Sequence, residues 1–403
     1  MISRTRKLLL TACLAGAAMS AGGCATTAQS TKNAVNAYYL GDYPTAANIL
    51  QADTVKKDEN FVLNNCRYGS AVLAAGNAKE AENAFLSAYE VINGVKTNDG
   101  GRTMGAVMVF EGVKVWKGEP FERAMAHYYL GLVYMMKNDY ENARAAFQNS
   151  LFNLRAYDKD SKGAPDPAKA QQIDTNFSLG YFGLGMCYLR EGKTELADKN
   201  FEKAGKLQPS LLPVIAEINK PTTNALIFVD YGQGPRRAGK GWYNEESAFG
   251  PTPAEAGPIP VANLMIDGQP VPAMQTAMLD TLAMAQDQKW QDIDTIRKVK
   301  AAIGTGAMAA GSGMAAYGAN RGDSRMMLAG LGVALAGAAI AASSQADLRY
   351  WEMLPRTVYV IPATIAPGEH QLQVQAGASV TVPFSATIRP GTEGDSVFYV
   401  RLR

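Results

Sequence analysis

The sequence has little of what catalytic and metal centres are usually built from. Only two of its 403 residues are histidine, His127 and His370, and four are cysteine. The two histidines fall in different predicted domains, which excludes a His-based triad or a multi-His metal site. Beyond residue 24 only Cys66 and Cys187 remain. Both fall inside predicted helices, so they read as buried free thiols rather than as a disulfide framework. Charge of one sign is lacking as well. Lysine and arginine number 39 against 37 aspartate and glutamate, with no basic block, which argues against nucleic acid as a partner. Carboxylates are plentiful, yet none forms a distinctive pair by spacing. No enzyme activity, cofactor or metal is expected.

What is present begins with an export signal. Arg4, Arg6 and Lys7 form a positive leader, Leu8 to Met19 an uncharged apolar core, and Ser20-Ala21-Gly22-Gly23-Cys24 a run of small residues. The core is too short for a permanent membrane span and reads as a cleaved segment covering residues 1–23. A cysteine directly after the cut is the lipoprotein variant. The Cys24 thiol takes a diacylglyceryl group and the freed amine is acylated, palmitate being the expected type of chain. Several acyl chains anchor stably where one would be marginal. Leu10-Thr11-Ala12-Cys13 fits the same box, but only three apolar residues separate it from Lys7. An ordinary secretory signal with an incidental cysteine is the plainer alternative. Ala25 after the cysteine resembles the outer-membrane address of enterobacterial lipoproteins. Residues 24–32 form a short lipidated linker that keeps the next segment near the lipid surface.

From 33 to 215 the chain repeats itself. The clearest unit is Tyr181-x-x-Leu184-Gly185-x-x-Tyr188, then Gly192, Ala197, Phe201, Ala204 and Pro209. Leu130-Gly131-x-x-Tyr134, Tyr140, Ala143 and Phe147 form another. Weaker units run through Gly69, Gly76, Ala81, Phe85 and Ala88, and through Gly41, Tyr43, Ala46 and Leu50. The pattern resembles the tetratricopeptide repeat (TPR), in which small residues let two antiparallel helices approach and aromatics fill the grooves. One unit cannot bury its apolar face, so four make a stable stack. Two inserts interrupt the register: Lys96 to Glu122, with Val113, Val115, Trp116 and Phe121, and the polar Asp158 to Pro167. Inserts of this kind map to surface loops. The apolar residues of the first either dock a partner or close over the stack.

From Thr222 the period changes. Ala225 to Val229, Val261 to Ile266, Thr357 to Ile361, His370 to Val374, Val380 to Ile388 and Val397 to Leu402 read as short strands, with Asp267-Gly268 as a hairpin turn. They predict a small β-sandwich from 216–272 plus 347–403. Between its halves, 273–346 reads as a helical insertion. Leu279, Leu282, Trp290, Ile293, Ile296 and Val299 recur at helical spacing. Two uncharged stretches, Ala301 to Asn320 and Met326 to Gln345, lie on either side of Arg321-Gly322-Asp323-Ser324-Arg325, with Asp323 or Ser324 as cap. Small residues recur along both, and Gly304, Gly311, Gly318, Gly330 and Gly337 mark a glycine-zipper hairpin that packs closely or enters a membrane. Leu328, Leu331, Val333, Leu335 and Ile340 favour insertion by about 1.5 to 3 kcal/mol, but the polar end and the tip arginines oppose it. A tightly packed helical pair covered by protein is the competing reading.

Two further motifs resolve to plain readings. Gly234-Pro235-Arg236-Arg237-Ala238-Gly239-Lys240 has the spacing of a phosphate loop, but Gly241 stands where Ser or Thr should hold magnesium and no helix comes after it. Arg321-Gly322-Asp323 is the charged turn of the hairpin.

Three signatures go beyond the repeats: Lys117-Gly118-Glu119-Pro120-Phe121-Glu122-Arg123 running into His127 to Leu132, Phe228 to Arg237, and Ala346-Asp347-Leu348-Arg349-Tyr350-Trp351-Glu352-Met353-Leu354-Pro355. They resemble a family of uncharacterised proteobacterial TPR-repeat lipoproteins, encoded near small lipoproteins similar to activators of penicillin-binding proteins. The resemblance implies an envelope role and carries no catalytic residues. The expected function is a protein-protein interaction scaffold, lipid-anchored at the periplasmic face of the outer membrane, whose repeats bind envelope proteins. Tyr38, Tyr39, Trp116 and Tyr128 are the candidate contacts. The alternative is a membrane-active homo-oligomer whose hairpins insert into a bilayer.

Overall fold

Each repeat is closed by the same short link. Gly41, Gly76, Asn138 and Gly192 all have positive φ, between 59° and 84°. Their N–H groups, and those of the next residue, return to carbonyls at the end of the first helix: Gly76 N to Leu73 O at 2.9 Å and Asn77 N to Val72 O at 2.8 Å, for example. That is the Schellman arrangement, and glycine or asparagine adopts it at least cost. In three repeats the next residue caps the second helix, with Asp42, Asn77 and Asp139 accepting from the backbone. Two residues therefore end one helix, reverse the chain and begin the next. The sequence pattern reveals the three glycines but not Asn138.

The structure, a computed structural model, describes residues 29–93, 115–152, 154, 156–159, 165–171, 177–240, 246–252, 258–271, 277–286, 292–342, 347–381, 383–388 and 396–402. The expected signal peptide and Cys24 lie outside them. Four helix pairs stack in order: α1 (29–40) with α2 (Tyr43–Gln51), α3 (Phe61–Ala74) with α4 (Ala78–Asn93), α5 (Pro120–Met136) with α6 (Tyr140–Phe152), and α7 (Ser178–Arg190) with α8 (Thr194–Leu207). A turn of 3-10 helix at Pro209–Leu211 leads to α9 (Leu212–Ile218). Phe85, Phe147 and Phe201 are buried beneath Gly69, Gly131 and Gly185. A Cβ on those glycines would meet the rings at 2.8, 2.9 and 2.5 Å. The small residue of one helix is thus a socket for the aromatic of its partner.

Two insert readings change. Phe121 belongs to α5, not to an insert, because Glu119 and Glu122 form a capping box that starts the helix at Pro120. The polar insert read as a loop holds a pair of antiparallel strands, β1 (Ala156–Lys159) and β2 (Pro165–Gln171), with Ala156 opposite Gln171.

The strand-rich half contains two larger sheets. One is β13-β3-β9-β8, from β3 (Ala225–Tyr231), β8 (Ala277–Asp280), β9 (Thr357–Ala363) and β13 (Ser396–Arg401). β13 runs parallel to β3, and the other pairs are antiparallel. The second centres on β10 (Gly368–Ala376), which pairs with β6 (Ala262–Ile266), β11 (Ser379–Val380) and β12 (Phe384–Ile388), with β7 (Gln269–Pro270) beyond β6. A separate hairpin joins β4 (Arg236–Lys240) and β5 (Glu246–Gly250).

Every described residue of β9 is buried, and all of β3 but its last. Ile227, Val229, Tyr359 and Ile361 point into a core shared with Leu264, Leu372 and Val374 of the second sheet. Leu226, Phe228, Val358 and Val360 point the other way, into the core of the repeats. A strand covered on both faces reads as an unbroken apolar run rather than an alternation. The mixed sheet is therefore the layer that joins the two halves of the chain.

Between β8 and β9 come α10 (Thr281–Ala285), α11 (Asp292–Arg321) and α12 (Ser324–Ala342). Leu279, read as the first position of a helical face, lies instead in β8. The strand gives way to helix at Asp280, whose carboxylate accepts from Leu282 N and Ala283 N. α11 and α12 lie against each other. A Cβ on Gly311 would fall 2.3 Å from Ala334 N, on Gly330 2.3 Å from Ala315 N, and on Gly318 2.5 Å from Met327 N. Gly337 is buried too, and the surroundings of Gly304 lie outside the described side chains. Asp323, and not Ser324, caps α12 through Arg325 N and Met326 N. Among the described residues, no helix is long and apolar enough to cross a membrane.

Candidate functional site

The first helix of each repeat turns one side toward the mixed sheet, and that side is where a repeat stack would be expected to hold a partner. Here it holds a piece of the same chain. Residues 347–355 form a non-helical strap, laid across α1, α3 and α5 before β9 begins. Its backbone is held point by point. Trp116 Nε1 donates to Arg349 O at 3.1 Å. Trp351 N donates to the Glu122 carboxylate at 2.7 Å. The Tyr39 hydroxyl donates to Glu352 O, and Gly234 N to Leu354 O at 2.7 Å.

The strap's side chains are gripped as closely. Trp351 is 1% exposed. Its ring packs between Phe85 and Tyr129, and its indole N–H reaches Ser70 Oγ at 3.1 Å. Arg67 makes two hydrogen bonds to the Glu352 carboxylate, at 2.7 and 2.5 Å. The fork geometry of guanidinium and carboxylate makes this both strong and directional. Arg349 reaches back to Glu59 O at 2.8 Å and Asn60 Oδ1 at 3.1 Å.

Two buried carboxyls sit in this seam. Glu122 accepts from Glu119 N at 2.8 Å as well as from Trp351 N. Burial pushes its pKa up to about 8, although the two backbone donors favour the charged form. Asp230, at the end of β3, accepts the hydroxyls of Tyr129 and Tyr399 at 2.5 and 2.8 Å. Burial raises it to about 6, with the nearby Arg401 charge acting in the opposite direction. Arg401 is itself buried. It donates to Tyr38 Oη at 3.1 Å, to Leu402 O at 2.9 Å and to Gly232 O, while the Tyr43 hydroxyl donates to its carbonyl at 3.0 Å. At the far edge of the seam Arg237 pairs with Glu119 at 2.6 Å and Phe121 meets Phe249 edge to face at 5.0 Å.

The four candidate contacts therefore have other work. Tyr38, Trp116 and Tyr128 are buried and Tyr39 is half-buried. Tyr38, Tyr39 and Trp116 hold the strand-rich half, and Tyr128 packs with Tyr129, Phe147 and Phe177 inside the stack. The rings of Tyr38, Trp116 and Tyr128 are closed to a partner in this conformation, and that of Tyr39 is half-covered. Aromatic content identified them, but aromatics serve a filled seam as well as an open groove. Trp116 closes over the stack, while Phe121 belongs to its helix α5 and packs on Phe249.

Sequence reasoning missed Arg67, Ser70, Asp230, Glu352 and Arg401 as site residues. A signal for two of them existed, because the three short signatures meet here. Glu122 and Tyr129 come from the first, Asp230 and Arg237 from the second, Trp351 and Glu352 from the third. Arg236 to Lys240 form β4, so the stretch with phosphate-loop spacing is a strand of a hairpin. His127 is buried beside Tyr89 at 4.9 Å. His370 is held by Asp267 at 2.7 Å, which raises its pKa. Among the described residues no group of His, Cys, Asp and Glu is placed to hold a metal ion.

Outside the seam, one groove of about 470 Å³ opens between the first two repeats. Phe61 and Tyr68 line it, with Val55, Lys57 and Glu80 beside them. The Lys57 ammonium lies 3.8 Å from the centre of the Phe61 ring, and the Tyr68 hydroxyl donates to Glu80.

Comparison with known proteins agrees with the repeat architecture. Residues 180–211 and 125–150 each match the tetratricopeptide repeat, so the chain contains TPR repeats. Solved structures similar to parts of it include "Crystal structure of MamA", with 16% identity, a TM-score of 0.29, and 44% of this chain and 75% of that one covered. Another is "Crystal structure of MamA protein", with 18% identity, a TM-score of 0.22, and coverage of 47% and 94%. No curated protein matches.

Proposed function

We propose that this protein is a non-enzymatic interaction scaffold of the bacterial cell envelope, held at the periplasmic face of the outer membrane by lipid on Cys24. The repeat stack carries the reading, since TPR arrays present extended surfaces to other proteins. The filled inner side of the stack redirects it. Its partners are envelope proteins that meet the stack outside the seam, and the groove between the first two repeats is the surface with the shape for it. Val55 stands 74% exposed at that groove. Scattered exposed apolar residues are ordinary, but one beside a groove is where a partner gains contact area. The strand-rich half is a β-sandwich that plugs the stack, and the lipoprotein resemblance supplies the envelope setting.

The test is photocrosslinking in intact envelopes, with the probe placed at Val55 and then at Leu40 as an exposed control. A discrete envelope protein captured from Val55, and lost with Lys57→Glu, supports the scaffold. A capture pattern identical at the two positions counts against it. A second reading rests on the exposed leucines of α12: the hairpin enters a bilayer and the chain is membrane-active. Extraction of a Cys24→Ser variant separates the two. Full solubility in the periplasm sinks the membrane hairpin, and retention in the membrane fraction through alkaline washing sinks the simple tethered scaffold.

A further inference from the structure

The groove between the first two repeats differs from the surface around it in how its charges are held. Nearby, Lys56 pairs with Asp53, and Glu82 of α4 pairs with Lys137 at 2.8 Å. The two charged residues that line the groove, Lys57 and Glu80, have no ion-pair partner among the described residues. Each is held instead by an aromatic ring of α3. The Lys57 ammonium lies over the Phe61 ring, and the Tyr68 hydroxyl donates to Glu80. An ammonium over a ring keeps donors for other groups, and a carboxylate that accepts one hydroxyl keeps lone pairs to spare. Burial, with the Glu80 carboxylate beside it, pushes the Tyr68 hydroxyl up to about 12, so it stays a donor. Phe61 and Tyr68 are seven residues apart on α3, two turns along one face. The cation and the carboxylate therefore stand roughly 10 Å apart along the groove. Gln51 at the end of α2 and Asn83 on α4 line it too, and their side-chain amides make no hydrogen bond among the described residues. The groove thus has a positive end, a negative end and uncommitted amides.

We infer that the groove takes a short extended segment of a partner protein, with an acidic side chain on Lys57 and a basic one, three positions away, on Glu80. The inference rests on the reading of this groove as a docking surface and names the chemistry of what docks. Charge sets the two ends, because opposite charges across a contact fix register and reject mismatched segments. Size sets the conformation. A stretch of α-helix about 10 Å long and about 10 Å across fills roughly 800 Å³. The groove holds about 470 Å³, so a helix cannot seat in it. A polyproline-type segment is narrower. It rises about 3.1 Å per residue and repeats every three, so residues three apart face the same way at a separation of about 9 Å. That matches the spacing of Lys57 and Glu80. Its backbone makes no internal hydrogen bonds, and the amides of Gln51 and Asn83 are there to bond it.

A random heptapeptide library displayed on phage and panned against the full-length Cys24→Ser chain tests it. The expected consensus is an acidic and a basic residue three apart. Lys57 is exposed, so Lys57→Glu keeps the fold, which far-UV dichroism checks, and turns the acidic position of the consensus basic. Glu80→Gln keeps an acceptor for the Tyr68 hydroxyl and removes the charge, so the basic position loses its preference. A synthetic peptide of the parent consensus, followed by fluorescence polarisation, should bind Lys57→Glu about tenfold or more weakly. Affinity for that variant should return when the acidic residue of the peptide is changed to lysine. A library that yields no consensus overturns the proposal, as does a consensus without the charge pair or with the pair seven apart, as on a helix. A consensus indifferent to both variants overturns it as well. Failure of the panning with a discrete Val55 crosslink leaves the scaffold standing with a partner of other chemistry. A charge-dependent consensus without that crosslink leaves the groove chemistry standing and removes the envelope partner.

Discussion

Replacing Asp230 by asparagine should remove a pH dependence of stability that the seam creates. An aspartate in an unfolded chain ionises near pH 4. In the folded protein burial holds Asp230 protonated up to about 6. Between those values the unfolded chain has lost the proton and the folded one has kept it. The unfolded state then binds fewer protons, so stability falls as pH rises through the window. The slope is about 1.4 kcal/mol per pH unit, and roughly two units make a loss of up to about 3 kcal/mol between pH 4 and pH 6. Asparagine cannot ionise and keeps an oxygen for the Tyr129 and Tyr399 hydroxyls. Its own cost is a constant offset. Urea unfolding of both proteins, repeated across that range, gives the comparison. The stability of the parent relative to Asp230→Asn should decline by up to about 3 kcal/mol from pH 4 to pH 6 and then level off. Other titrating groups cancel in the difference. A flat difference, or one that rises with pH, would refute the reasoning, because it would mean that Asp230 is not held protonated by its surroundings.

Three other outcomes are expected. Trp351→Ala should cost about 3 to 5 kcal/mol in urea unfolding, since it empties a fully buried ring site and frees Ser70; a cost under 1 kcal/mol would mean that the strap is not fixed in the seam. Gly192→Ala places a Cβ at a φ of 73° and should cost about 1 to 2 kcal/mol, while Gly306→Ala, where the helix is open, should be neutral or stabilising; paired melting curves give both signs. Gly330→Val drives a side chain into the α11 backbone and should expose amides of 305–338 to hydrogen exchange, without changing protection in β3 and β9.

The repeats were legible because each position is set by local geometry. A glycine socket, an aromatic sixteen residues on and a reversal between them recur whatever lies outside. Asn138 escaped notice because asparagine serves the left-handed link without being glycine. The strands of β3 and β9 were legible as apolar runs, but their double burial was not, since an unbroken run does not say what covers it. Leu279 was misread for a related reason: four residues of β8 leading into a helix fit either period. The seam was least legible. Arg67 and Glu352 are 285 residues apart, and Tyr39 and Glu352 are 313 apart. No spacing rule reaches that far. Only the composition of the three short signatures, each mixing charge with aromatics, hinted that they serve a common place.

The Arg401 contacts have a consequence for the time at which this fold becomes complete. Tyr43 bonds to a carbonyl made 358 residues later. At the usual pace of translation, about 5 to 20 residues per second, that interval is roughly 20 to 70 s. The wait of Asp230 for Tyr399 is shorter, 169 residues or roughly 8 to 34 s, and during it the finished repeats have their inner face incompletely covered. Until then the uncovered face is also a surface for chaperones. The pace of the ribosome thus decides how long the newborn stack remains adhesive, and a pause late in the message would prolong that interval.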